Sequence, residues 1–281
     1  MKRSHLFIGA VIASVAFIFF SFFFARGEER LTVAFFDVGQ GDAIFIESPA
    51  GAQLLVDGGP DAAVVRRLSS VMPLWDRSLD LLLISNPDED HVRGFLDVLA
   101  RFEVAAVMEP GTVKETTVYK ELERAIVEEG AERLIARRGM VVDMGGGVSL
   151  EILFPDRDAK GLDANTGSIV ARLVYRDTEV FLPGDAPEAV EKYLVELDGE
   201  QLRSDLLKAG HHGSRTSSGE ALLSAVAPSV AVISAGKNSR YGHPHQEVLD
   251  RLADFGVETH VTAQEGTVIY VSDGVQLKRL K

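Results

Sequence analysis

Short apolar runs and turn residues alternate from residue 31 onward, and the period of the pattern changes along the chain. Leu31–Asp37, Ala43–Ser48 and Gln53–Asp57 are β-branched or aromatic runs separated by Gly-rich turns, which predicts a β-meander. Helical spacing appears in Val64–Ser70, Phe95–Phe102 and Val118–Glu129, interleaved with predicted strands Leu79–Ile84 and Val104–Met108. Gly145-Gly146-Gly147 predicts a tight turn before strand Ser149–Phe154. A hairpin then pairs Ser168–Tyr175 with Glu179–Leu182 across Arg176-Asp177-Thr178. Helix Pro187–Glu196, strand Leu206–Lys208, helix Ala221–Val226, strand Val230–Ser234 and helix Gln246–Phe255 follow, and strands Thr259–Val261 and Val268–Val271 close the chain. Each half runs from strands into strand–helix alternation, which predicts two sheets sandwiched between helices. No linker divides residues 31–281, so one domain is expected there.

The first thirty residues read differently. Lys2 and Arg3 precede an uncharged apolar run from Leu6 to Ala25, after which Arg26, Glu28, Glu29 and Arg30 return to water. Such a run spans about 30 Å as a helix, the thickness of a bilayer core. Residues 1–30 are therefore expected to form an N-terminal transmembrane anchor or signal segment. Phe23 and Ala25 make a poor small-x-small cleavage site, which favours the anchor. The positive charge ahead of the run places the N-terminus in the cytoplasm. The domain is then expected to be membrane-anchored and extracytoplasmic, or secreted if the segment is cleaved.

Composition narrows the chemistry. With 281 residues and 46% hydrophobic content the chain can bury a large core. It contains no cysteine, which removes disulfides, thiolate metal sites and a thiol nucleophile. Any metal must be held by His and carboxylate. The net charge of −13 excludes a generally basic surface, so a polyanionic partner needs a local patch or bound cations. No P-loop, GxGxxG fingerprint or GxSxG elbow is present.

The candidate chemistry sits at strand ends. Strand Leu79–Ile84 delivers Ser85-Asn86-Pro87-Asp88-Glu89-Asp90-His91, where crowded carboxylates repel unless a cation is near. Asp37 and Asp42 frame Val38-Gly39-Gln40-Gly41, Asp57 precedes Gly58-Gly59, and Asp185 follows Pro183-Gly184. His211 and His212 follow strand Leu206–Lys208, and His243 and His245 flank Pro244 before a helix. Five of seven histidines share this setting with repeated Asp-Gly turns, which points to one site.

The ordered motifs DVGQGD (Asp37–Asp42), VDGG (Val56–Gly59), NPDEDH (Asn86–His91), NTGS (Asn165–Ser168), PGD (Pro183–Asp185), GHHGS (Gly210–Ser214) and GHPH (Gly242–His245) resemble the metallo-β-lactamase superfamily, and within it the ComEC-like domain of DNA-uptake proteins. The resemblance covers almost everything from Leu31 onward. It implies an α/β fold, a four-layer αββα sandwich, with a divalent metal centre at one edge of the sheets.

Carried over residue by residue, the resemblance makes Asp88, Asp90, His91, Asp185 and one of His211 and His212 metal ligands, with Asp185 bridging two ions. Asp90 would orient the attacking hydroxide, and His212 and His243 would share in catalysis. His243 and His245 take the place of a ligand or a phosphate-contacting His, and both roles stay open. Asn86, Asn165, Ser168, Lys208 and Ser214 are expected at the substrate, with Lys208 and Arg215 supplying positive charge to a phosphate. Asp37, Asp42 and Asp57 would order the floor. Asn86 stands where the superfamily motif usually begins with His, and Asp88 where lactamases carry His. This oxygen-rich set predicts one or two divalent ions, Mn²⁺ or Zn²⁺, with either a Mn²⁺ preference or one tight and one weak site. Two ions about 3.5–4 Å apart activate water and offset charge on a phosphoryl transition state. The expected function is therefore a metal-dependent phosphodiesterase or nuclease acting on extracytoplasmic DNA, single-stranded for preference. The alternatives are a degenerate DNA-binding module assisting uptake, or a hydrolase of another ester or amide, including a lactam. No protein partner is identifiable.

Overall fold

The computed structural model describes residues 30–280. The expected membrane segment lies outside them, and among the described residues no helix is long and apolar enough to cross a membrane. The described chain forms two sheets. In one, β1 (Leu31–Phe35), β2 (Ile44–Glu47) and β3 (Gln53–Val56) are the predicted antiparallel meander. Three parallel strands extend it: β4 (Ser78–Leu83), β5 (Glu103–Glu109) and β6 (Glu132–Ile135). The second sheet repeats the scheme, with β7 (Val141–Gly145), β8 (Val148–Phe154), β9 (Val170–Tyr175) and β10 (Thr178–Leu182) antiparallel. Strands β11 (Leu206–Lys208), β12 (Val230–Ile233) and β13 (Glu258–Val261) then run parallel to β10. The chain returns to the first sheet through β14 (Val268–Ser272), which pairs with β1, and the edge strand β15 (Leu277–Arg279).

Helices cover both outer faces. Those of the first half are α1 (Ala63–Val71), α2 (Glu89–Val92), α3 (Phe95–Leu99) and α4 (Thr117–Glu129). Those of the second are α5 (Glu188–Asp198), α6 (Glu220–Val226), α7 (Gln246–Asp254) and α8 (Thr262–Glu265). The Thr116 side chain caps α4 by accepting from Tyr119 N, and Gly130 ends it at φ +75°, a conformation that costs glycine little. Apolar side chains form three layers. Val33, Phe35, Ile46, Leu150 and Leu173 fill the space between the sheets. Phe36, Phe45 and Leu122 lie under the first helical layer, and Phe181, Leu207 and Leu223 under the second. This is the expected αββα sandwich.

Three strands escaped the sequence reading: β6, β7 and β15. All three are sheet edges. An edge strand buries less and carries charge against further pairing, so Glu132-Arg133 and Leu277-Lys278-Arg279 show no apolar run. Thr178, expected in the hairpin turn, pairs with Tyr175 instead, leaving a two-residue turn.

Candidate metal centre

The polar motifs gather at the carboxyl ends of the parallel strands. Asp57 follows β3, Ser85 and Asn86 follow β4, and Asp185 follows β10. His211 and His212 follow β11, and Ser234 follows β12. Helix α2 carries His91 and is clipped to the glycine turns: Gly58 N donates to His91 O at 2.6 Å and Gly94 N to Gly59 O at 2.9 Å. Gly41 is required where it stands, since a Cβ there would lie 2.1 Å from Asp90 O. His211 and His212 both hold left-handed backbone, φ +48° and +56°, which residues with a Cβ adopt at a cost of order 1–3 kcal/mol each.

The two buried imidazoles are oriented alike. His91 Nδ1 lies 2.8 Å from Asp57 Oδ2, and His212 Nδ1 lies 3.1 Å from the carbonyl oxygen of Ser234. Both acceptors fix the proton on Nδ1 and leave Nε2 with a lone pair. The Nε2 atoms converge on carboxylates. His91 Nε2 is 3.1 Å from Asp185 Oδ2, and His212 Nε2 is 3.5 Å from that oxygen and 3.4 Å from Asp90 Oδ2. His211 Nε2 stands 3.7 Å from Asp185 Oδ2. Such spacings are satisfied by a cation bound between these atoms or, without one, by a second proton on the imidazole.

The donor set fits a divalent metal. Ligands about 2.0–2.1 Å from one ion stand roughly 3.0–3.4 Å from one another, close to the spacings here. His212 Nε2 is buried and makes no hydrogen bond within the described residues. Asp42, His91, Asp185 and His212 each offer a ligand atom within 4.8 Å of the others. Within that group Asp42 faces the back of the rings: its Oδ1 is 3.4 Å from His212 Nδ1 and its Oδ2 is 3.9 Å from His91 Nδ1. It also binds the Lys208 ammonium. Asp42 and Asp57 thus lie on the Nδ1 side of the two rings.

Protons take the cation's place in the metal-free chain. Burial opposes charging His91, but Asp185 and Asp57 outweigh it and raise its pKa well above the ordinary value. Burial opposes charging His212 too, yet Asp185 and Asp42 push it up to about 9. Asp185 is held well below the carboxylate range, its burial overcome by His212 and His91. His243 moves the other way, down to about 4, because it is partly buried and faces His212 and His211.

Several expected substrate contacts lie inside the protein. Lys208 is 1% exposed; its ammonium also donates to Gly184 O at 3.3 Å, so it is a fixed charge beneath the site and not a surface contact. Ser168 and Ser214 are buried as well, and Ser214 Oγ sits 3.0 Å from Thr216 Oγ1. Asn86 is fully buried, and every polar atom of its side chain is used. Its amide donates to Asn165 Oδ1 at 2.8 Å and Ser168 Oγ at 3.3 Å, and its Oδ1 accepts from Asp88 N at 2.9 Å. Asp88 pairs with Lys114 at 2.6 Å and is not among the four clustered residues. His245 accepts from Arg215 N at 3.1 Å and packs its ring edge-on against His243, with centroids 4.9 Å apart. Arg215 itself pairs with Glu247. Asp37 lies apart, bound to Arg67.

Sequence reasoning missed several supports. Ser85 donates from N and Oγ to Asp57 at 2.8 and 2.6 Å, and Gln40 Nε2 is 3.4 Å from His243 Nδ1. Position directly after a strand was an available signal for Ser85. The Ser234 carbonyl has none.

Fold and site together define a metallo-β-lactamase-type hydrolase scaffold. The sequence matches the metallo-beta-lactamase superfamily over residues 36–237, most of the chain, and the chain belongs to that superfamily. Within it the chain is ComEC-like. It is 29% identical to ComE operon protein 3 of Bacillus subtilis (strain 168) over 280 residues, covering 93% of this chain and 35% of that protein. It is 31% identical to Competence protein ComA of Neisseria gonorrhoeae over 257 residues, covering 90% and 34%. The chain thus spans about a third of the curated relatives it matches. Among solved structures it resembles CmlA, a diiron beta-hydroxylase from Streptomyces venezuelae, with TM-score 0.57 and 14% identity over 90% of this chain and 54% of that one. At that identity the likeness extends to the fold alone.

Proposed function

We propose that this protein is a metal-dependent phosphodiesterase that cuts extracytoplasmic single-stranded DNA, held at the membrane by its N-terminal segment. The observation that carries the reading is the convergence of His91 Nε2 and His212 Nε2 on Asp185 Oδ2, with Asp90 Oδ2 3.4 Å from His212 Nε2, beside an open groove of about 530 Å³ that Asp90 lines. Relatives named as a competence protein and a recombination protein support nucleic acid as the substrate class. Asn86 and Asp88 are otherwise engaged, which favours one tightly held ion, with a second, weaker position at Asp88. Two imidazoles with two carboxylates suit Mn²⁺ or Zn²⁺.

When bound, a divalent cation here supplies Lewis acidity and lowers the pKa of water. The chain supplies orientation and proton handling. His91 and His212 hold their ligating nitrogens in place through Asp57 and the Ser234 carbonyl. His243 is neutral at neutral pH, and Gln40 Nε2, oriented by Gly236 N donating to its Oε1, donates to His243 Nδ1 and leaves the proton on Nε2. That N–H is a donor for a phosphate oxygen or a leaving alkoxide.

The test strips the full-length chain of metal and follows hydrolysis of labelled single-stranded DNA with Mn²⁺, Mg²⁺ or Zn²⁺ added back, beside Asp90→Ala. Metal-dependent cutting that the variant lacks supports the reading. Binding of metal without cutting of any phosphodiester overturns it in favour of a binding module.

A further inference from the structure

The groove beside the metal centre has a second wall that no motif accounts for. On one side stand Asp90 and Arg93, and on the other Arg240 and Tyr241, from the loop between β12 and α7. Tyr241 is an aromatic side chain left 52% exposed. Its ring is nonetheless held in place. It stacks on His243 with centroids 5.7 Å apart and planes 29° from parallel, so it continues directly from a residue of the metal centre. The Arg240 guanidinium lies 4.8 Å from the ring centroid and donates to the Tyr241 hydroxyl at 2.6 Å. The loop is pinned below. Gly236 N donates to Gln40 Oε1 at 3.4 Å, and a Cβ on Gly236 would stand 2.8 Å from Gln40 N. Tyr241 N and Gly242 N donate to Ser239 at 3.3 and 3.0 Å.

Charge marks the same wall. In a chain of net charge −13, Arg93 and Arg240 line this groove together with Asp88, Glu89 and Asp90 at the cation site, and neither arginine makes an ion pair among the described residues. A stacked aromatic ring with two guanidinium groups free of ion pairs along the same groove, next to a cation site, matches the chemistry of an unpaired nucleotide: a flat base and the phosphates on either side of it. A groove of about 530 Å³ is of the size that takes a ligand of that class.

We propose that Tyr241 is the stacking platform for the base next to the scissile phosphodiester, with Arg240 and Arg93 holding the flanking phosphates. The Arg240 guanidinium covers the ring in the free protein and turns onto a phosphate as the base takes its place. Such a platform needs an unpaired base, which gives the preference for single strands a structural cause. Tyr241 is a positioning residue and takes no part in bond breaking. The inference rests on the phosphodiesterase reading for its substrate.

The experiment measures binding by fluorescence anisotropy, with the full-length chain kept in chelator so that nothing turns over. The probes are a labelled oligothymidine and an abasic oligomer of the same length and charge. The wild type should bind the base-bearing strand about 5–150-fold more tightly than the abasic one, the range expected for stacking of one base. Tyr241→Ala should erase that ratio, and Tyr241→Phe should keep it. Arg93→Ala and Arg240→Ala should weaken both probes alike and lower the salt slope by about one for each charge removed. Thermal melting checks that each variant is folded. An unchanged base-to-abasic ratio in folded Tyr241→Ala overturns the proposal, as does a wild-type ratio of one. The two readings can fail separately. Cleavage without a Tyr241-dependent ratio removes only the platform, and a Tyr241-dependent ratio without cleavage removes only the phosphodiesterase.

Discussion

Asp57, whose own backbone is left-handed at φ +58°, accepts from His91 Nδ1 at 2.8 Å through its Oδ2. The contact sets the ring so that Nε2 meets Asp185 on the far side. Asp57 is in turn held by Ser85, so β3 and β4 together aim one histidine that neither strand carries. Substituting Asp57→Asn should leave the fold intact and weaken metal affinity by about 10–100-fold, the usual effect of disturbing a ligand's support. Titration calorimetry checks this, and unchanged affinity would show that His91 needs no such orientation.

Lys208 and Asp42 are both 1% exposed and form an ion pair beneath the imidazoles. Removing one partner strands a buried charge, so Lys208→Met should cost about 3–5 kcal/mol. The double variant Lys208→Met with Asp42→Asn should recover much of that loss. Denaturant unfolding of both singles and the double gives the coupling energy, and simple additivity would contradict the pairing.

The raised pKa of His212 makes the metal-free protein pH-sensitive. A group raised from 6.5 to about 9 contributes stability fully present below pH 6.5 and lost as pH rises through about 9. The metal-free chain should therefore melt at lower temperature as pH is raised across that window. Metal binding displaces the proton, so affinity should rise with pH over the same range and saturating metal should remove the decline. Scanning calorimetry with and without Mn²⁺ reads both effects; a metal-free melting temperature that rises across the window would contradict the protonated pair.

Gly41→Ala places a Cβ within 2.1 Å of Asp90 O, at a residue whose φ is +136°. Neither conflict can relax without moving the loop or helix α2. The substitution should cost more than about 2 kcal/mol and depress metal affinity along with stability. Gly39→Ala is the control, since its Cβ meets nothing within 4 Å, although its φ of +84° also carries strain. Equal losses in the two variants would assign the effect to backbone strain alone.

Much of the fold was legible because its cause is local. Strands β1 to β4 and β8 to β12 are apolar runs and the longer helices show their period, while the one-turn helices α2 and α8 are too short to show one. The edge strands β6, β7 and β15 were silent because an edge has little to bury. The position of the site was legible too: acids, histidines and glycines recur at strand ends, and that order carried the family resemblance.

What a motif can state is residue type and spacing, and that was enough for the sandwich and for the gathering of histidines and carboxylates at one place. Direction and burial needed the tertiary structure, because both depend on neighbours distant in sequence. Lys208 reads like a phosphate contact beside His211 and His212, yet β11 is central in its sheet and its side chain points to Asp42. Asp88 and Asp90 look alike in sequence, but only Asp90 meets His212, while Asp88 meets Lys114. Asn86 reads as a lost ligand and is in fact a fully bonded tie to Asn165 and Ser168 in the other half of the sandwich. Apart from the Asp88–Lys114 pair, these are pairings between the two halves of the sandwich, and such pairings leave no periodicity for a sequence to display.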